Sequence, residues 1–356
     1  MALDWIVDQY QIKGDSDPNS KTNSAALPHA GRCVTMVAVA VMNHIEQQIL
    51  LRTESSYGQD VPLSVSSPLL RRLENTARPS LRMVLEGTSG SAGASPAWLD
   101  RASDIRTLGF SGKNGVSILH LKVPKLGEAA PKLFEQRSPW PTFASPDDTA
   151  LQVIGRIAAA VRQRETSSDL FDRPLLKRFS AWSGLFKQEL RSVGFPVANA
   201  HGDLIAQMDQ EVAASAQLLS DQTPLPRQVR VVGKLDMVRD STRSFGLLLD
   251  SGDDVRGVLI EGTSDVLHNY FRKEITVLGK AIYRPSGTLL RIDASEILPI
   301  VDGRKAFSKV PPSLYQPRPP ERRQQTAKSG VASFFGTWPG EESDRDLLEA
   351  LEEIRG

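Results

Sequence analysis

The chain has 356 residues, a formal net charge of +1 and a hydrophobic share of 40%, room for about two packed domains. Such a charge balance excludes a generally basic nucleic-acid binder and a polybasic membrane-surface protein. Cys33 is the single cysteine, which excludes an internal disulfide and a cysteine zinc cage and fits a reducing, cytoplasmic setting.

Residues 1–41 turn polar and irregular after Ile12 and read as disordered or as an extension, with Met36 and Met42 as alternative starts. The apolar run 33–42 is too short to span a bilayer, and no basic stretch leads into it as in a signal peptide. From 42 to 146 the pattern is α+β. The stretches 44–55 and 80–89 are strand-like, and 67–78 places Leu69, Leu70 and Leu73 on one helical face. Residues 115–124 alternate as a strand and stop at Pro124, with the Lys113-Asn114 turn joining them to a partner at 104–112.

From 147 to 226 the period becomes helical and predicts a connector of three helices. The first is capped by Asp147 or Asp148 and carries Leu151, Ile154, Ala158 and Val161. The second begins at Pro174, repeats through Leu190 and stops at Gly194 and Pro196. The third carries Leu204, Met208, Val212 and Leu219.

Residues 227–299 then read as three strands (228–238, 244–251, 255–262), a short helix opened by Ser264, and two more strands. That is the order of the OB-fold barrel, with an SH3-like or other small barrel as the alternative because sequence does not give the strand order in space. The segment 300–330 is rich in proline. Seven basic residues stand against Asp302 and Glu321 over 302–330, so it reads as a disordered linker. The fold class expected is therefore α+β: a mixed α/β N-terminal segment, a helical connector, a small OB-like five-stranded barrel, a linker, and a C-terminal amphipathic helix within a partner-binding tail, 331–356.

Catalytic chemistry is not legible. The histidines at 29, 44, 120, 201 and 268 have no metal-binding spacing. "HGDL" at 201–204 resembles a phosphotransferase loop only in those four residues, and reads as a helix start. "GTSGSAG" at 87–93 lacks the Gly-Lys-Ser/Thr of a phosphate cradle and reads as a turn. Asp253 and Asp254 fall in a hairpin turn, where solvation is expected. No catalytic residue, metal or cofactor is assigned, and the expectation is a non-enzyme.

The tail "FFGTWPGEESDRDLLEALEEIRG" carries the most specific signal. Ser343 and Asp346 form a capping-box-like start, and Leu347, Leu348, Leu351 and Ile354 make one apolar stripe. Seven acidic residues stand against two arginines from 341 to 356. A helix this short is marginal by itself in water, and Phe334, Phe335 and Trp338 have nothing local to cover them.

This segment resembles the C-terminal segments of antitoxins that neutralise PIN-domain ribonuclease toxins. The resemblance spans the tail alone and implies a cytoplasmic, bacterial toxin–antitoxin setting. It implies that Phe335, Trp338, Pro339, Gly340, Glu341, Glu342 and Asp344 form an aromatic anchor and turn, while Leu347, Leu348 and Leu351 fill a groove on the toxin. The usual N-terminal DNA-binding module of such antitoxins has no counterpart here. The alternative expectation is an OB-fold nucleic-acid-binding protein with an acidic regulatory tail, for which Tyr270, Phe271 and Tyr283 are the stacking candidates.

Overall fold

Five antiparallel strands and the helices packed on them form the first core. The computed structural model describes residues 43–90, 95–113, 116–135, 144–187, 189–199 and 202–300, with Val310, Arg345 and Glu349 as isolated positions. The elements in chain order are β1 (His44–Thr53), α1 (Leu63–Glu86), α2 (Ala97–Ala102), β2 (Arg106–Lys113), β3 (Val116–Pro124), α3 (Leu126–Ala129), α4 (Lys132–Glu135), α5 (Ala150–Arg162), α6 (Arg173–Ser180), β4 (Leu190–Asn199), β5 (Gly202–Asp209) and α7 (Gln210–Gln222). The barrel follows as β6 (Arg227–Arg239), β7 (Ser244–Leu248), β8 (Asp254–Leu259), α8 (Asp265–Asn269), β9 (Glu274–Tyr283) and β10 (Leu289–Pro299).

The sheet order is β2-β3-β1-β4-β5. Alternation puts Ile49, Leu51, Leu119, Leu121, Val193 and Phe195 into one core with α1, α5, α6 and α7. The α+β class is as expected, but several local readings change.

Residues 80–86 are the second half of α1, not a strand. Leu81, Val84 and Leu85 continue the buried stripe of Leu69, Leu73 and Ala77, spaced at three and four residues. Pro79 lies inside that helix, where it removes a backbone donor and suggests a break. The Asn75 carbonyl, which residue 79 would normally address, accepts instead from the Arg178 guanidinium at 3.4 Å. At the next residue, the Trp182 indole N–H donates to the Thr76 hydroxyl at 3.0 Å.

The expected connector of three helices is also corrected. Helix α5 is as expected in place, but its cap is Thr149, in a reciprocal box with Gln152. Asp148 instead pairs with Arg156. The second helix is only α6, followed by a 3-10 turn at Ala181–Gly184. Gly194 and Pro196 then sit inside β4. The ladder with β1 ends at Gly194, leaving β5 as the one neighbour at Pro196, and a one-sided strand tolerates the missing N–H. The third helix divides into β5 and α7, with the Asp209 carboxylate capping α7 through the Val212 N–H at 3.0 Å.

The barrel closes in the order β10-β8-β7-β6-β9. Every pairing is antiparallel except β8 with β10, and α8 lies between the third and fourth strands. This is the OB-like arrangement expected. Its interior is a second core around Val231, Leu235, Phe245, Ile275, Val277 and Ile292. Gly257 stands opposite Phe245 in the ladder, and a Cβ there would lie 2.1 Å from the phenyl ring. Among the described residues no helix is long and apolar enough to cross a membrane.

Candidate functional site

The tail residues singled out by sequence, from Phe334 to Asp344 with Leu347, Leu348 and Leu351, lie outside the described residues, as do the Asn114 turn and His201. Arg345 and Glu349 are helical and exposed. The candidate site is the junction of barrel and α+β body.

OB barrels present ligands to the face of their second and third strands and to the loops after the first and fourth. Here those elements are β7, β8, the turn at 240–243 and the turn at 284–288. Ser244, Gly246 and Val258, which point outward from β7 and β8, are nevertheless buried. Arg239, at the end of β6, donates to the Leu133 carbonyl of α4. Beyond β9, the Arg284 guanidinium grips Asp169 at 2.7 Å, and the Ser286 N–H donates to the Thr166 carbonyl at 3.0 Å. Leu290 belongs to the core of the body, not that of the barrel. The chain's own body thus occupies much of the apparatus that other OB barrels leave open.

A buried charge cluster stitches this junction. Arg291 on β10 is 3% exposed and Asp172, the cap of α6, is 1% exposed. The guanidinium donates to Asp172 at 3.1 Å, to the Thr88 hydroxyl at 3.1 Å and to Asp293 at 2.7 Å. Its second terminal nitrogen has no partner among the described residues. Asp172 also accepts from the Ser89 N–H at 3.2 Å, from the Ser89 hydroxyl, and from the Leu175 N–H at 3.2 Å. Burial by itself depresses the Arg291 pKa, but the Asp293 and Asp172 carboxylates outweigh it and hold the group above its ordinary value. Arg256 is half-buried, and desolvation pushes its pKa down. Gly87 ends α1 in the left-handed conformation, so the "GTSG" turn delivers Thr88 and Ser89 to the cluster. Sequence reading assigned those residues only to a turn. The signal was there in two hydroxyls after a helix-ending glycine, but their partners are remote in sequence.

Beside the cluster lies a cleft of about 610 Å³. Its walls are Arg82, Glu86 and Thr88 at the end of α1 and Pro96 and Trp98 of the α2 segment. Its floor is the outer barrel, with Gln228, Arg243, Val258, Ile260, Glu261, Lys280 and Asp293.

Of the three stacking candidates, Tyr283 is buried in the barrel and Phe271 is 41% exposed. Tyr270 packs against the barrel core. The Arg272 guanidinium lies 5.4 Å from the Phe271 ring and the Lys273 ammonium 5.9 Å from that of Tyr270. His44, which belongs to no motif, meets Asp104 at 3.1 Å, and His120 meets Glu46 at 2.9 Å. Among the described residues no group of histidine, cysteine or acidic side chains is placed to hold a metal. No known family, curated protein or solved structure matches the chain.

Proposed function

We propose that this is an antitoxin-like binding protein whose C-terminal segment docks on and inhibits a PIN-domain ribonuclease. The observation that carries the reading is the tail itself: Gly336-Thr337-Trp338-Pro339-Gly340, an acidic run, and a leucine stripe behind a cap. The covering of the barrel's usual ligand face supports it, because the barrel then acts as a module bound to its own body. Phe335, Trp338 and three leucines burying several hundred Å², at roughly 25 cal/mol per Å², offset the entropy of ordering the segment.

Trp338→Ala combined with Leu351→Ala is expected to abolish neutralisation of the toxin in cells while leaving the unfolding of the body unchanged. Protection that survives both substitutions overturns the proposal. The partner is identified by affinity capture with the full-length protein, and a PIN-domain protein retained by the wild type and lost by the double variant is the expected result.

A second reading, single-strand binding by the barrel, has one observation in its favour, the exposed aromatic and basic segment Phe271–Lys273 beside the half-buried Tyr270. It requires affinity that falls steeply with salt and that drops with Phe271→Ala. A flat titration at low salt removes it.

A further inference from the structure

The cleft between the end of α1, the α2 segment and the barrel has open groups that define a ligand class, independently of the tail. Strand register builds its floor. Gln228 pairs with Lys280, Lys280 with Asp293, and Asp293 with Val258, so four neighbouring strands place one row of outward side chains, spaced about 4.8 Å apart. Glu86 is taken by Arg82 at 2.8 Å and Asp293 by Arg291 at 2.7 Å. Lys280, although directly opposite Asp293, forms no ion pair among the described residues. The same holds for Arg243, which the turn after β6 holds at φ 51°, a conformation uncommon for a residue with a side chain. Its own carbonyl is tied to the Leu259 N–H at 2.9 Å, so the backbone is fixed while the guanidinium remains open. Glu261 is the one lining carboxylate without a cation among the described residues. Trp98, half-buried and carried by the buried Leu99 beside it, supplies an aromatic wall.

Two open cations, one open carboxylate and an indole suit a planar ring that bears an anionic group. A volume of about 610 Å³ falls within the range of small-molecule sites, about 300–1,000 Å³. We propose that the cleft binds a nucleoside phosphate. The base lies against Trp98, Arg243 and Lys280 meet the phosphates through charge-assisted hydrogen bonds, and Glu261 accepts from an amino or hydroxyl group of the ligand.

The test is calorimetric titration of the full-length protein with ADP at low ionic strength and without added metal. Binding is expected, and Lys280→Ala and Arg243→Ala are each expected to weaken it by about tenfold or more. Trp98→Phe is expected to retain binding that Trp98→Ala loses. Lys280 is exposed on a strand surface, so its substitution leaves the barrel folded, which the melting curve checks. Two further probes distinguish sources of the same chemistry. Inorganic phosphate bound as tightly as ADP overturns the nucleoside assignment. A short oligothymidylate that binds where ADP does not overturns it in favour of a nucleic-acid strand. No binding of ADP, or ADP binding unchanged in both cation variants, also overturns it.

Discussion

Asp172→Ala is the substitution that most directly tests how barrel and body are joined. The carboxylate accepts from Arg291, from both donors of Ser89 and from the Leu175 N–H. Removing it leaves a guanidinium that is 3% exposed with Asp293 and Thr88 alone. Breaking a buried ion pair from one side costs about 3–5 kcal/mol, and losing a helix cap costs about 1 kcal/mol. The two overlap because they share one carboxylate, so a total of about 4–5 kcal/mol is expected. That is a large fraction of the roughly 5–15 kcal/mol that holds a folded domain.

Urea unfolding followed by circular dichroism reads the loss directly. Thr88, Ser89 and Asp172 belong to the body and Arg291 and Asp293 to the barrel, so the variant is also expected to separate one transition into two. Asp172→Asn keeps the cap acceptor while removing the charge, and is expected to retain the cap's share. A loss below about 1.5 kcal/mol with one unchanged transition would refute the reasoning, since the cluster would then be incidental to the junction.

Gly257→Ala drives a methyl group into the Phe245 ring, which is 1% exposed and has nowhere to go. Overpacking of this kind costs about 1–3 kcal/mol, and an unaltered melting temperature would contradict the ring's position over the glycine. Asp104 tests the pH dependence. The hydrogen bond from Arg106, aided by His44 and opposed by burial, holds its carboxyl below the usual carboxylate range. Its contribution is therefore full above the unfolded pKa and is lost as the pH falls toward the depressed folded value. The pair is partly solvated, so the effect is under about 1 kcal/mol. Asp104→Asn is expected to flatten the acid limb of a melting-temperature series, and parallel limbs for variant and wild type would count against it.

The barrel was largely legible in sequence because each strand alternates inward and outward residues and is bounded by its own turn chemistry. The interior row Val229, Val231 and Leu235 on β6 repeats with period two, which no helix reproduces. The end of α1 was not legible, since Pro79 argues for a break and the compensating donor, Arg178, comes from another helix. Strands β4 and β5 were hidden for a related reason. Gly194 and Pro196 are stop signals in a helix, but they are harmless in a strand whose partners are β1 and β5.

Sequence alone determined the α+β class, the succession of strands and helix along the barrel segment and the chemical character of the tail, because propensity, periodicity and turn residues act over a few neighbours. Tertiary structure decided which barrel face is covered and which cleft is left open. Thr88, Asp172 and Arg291 form one cluster although Thr88 and Arg291 stand 203 residues apart. No local pattern encodes that meeting. A buried charge is stable only where folding brings its partner to hydrogen-bond distance.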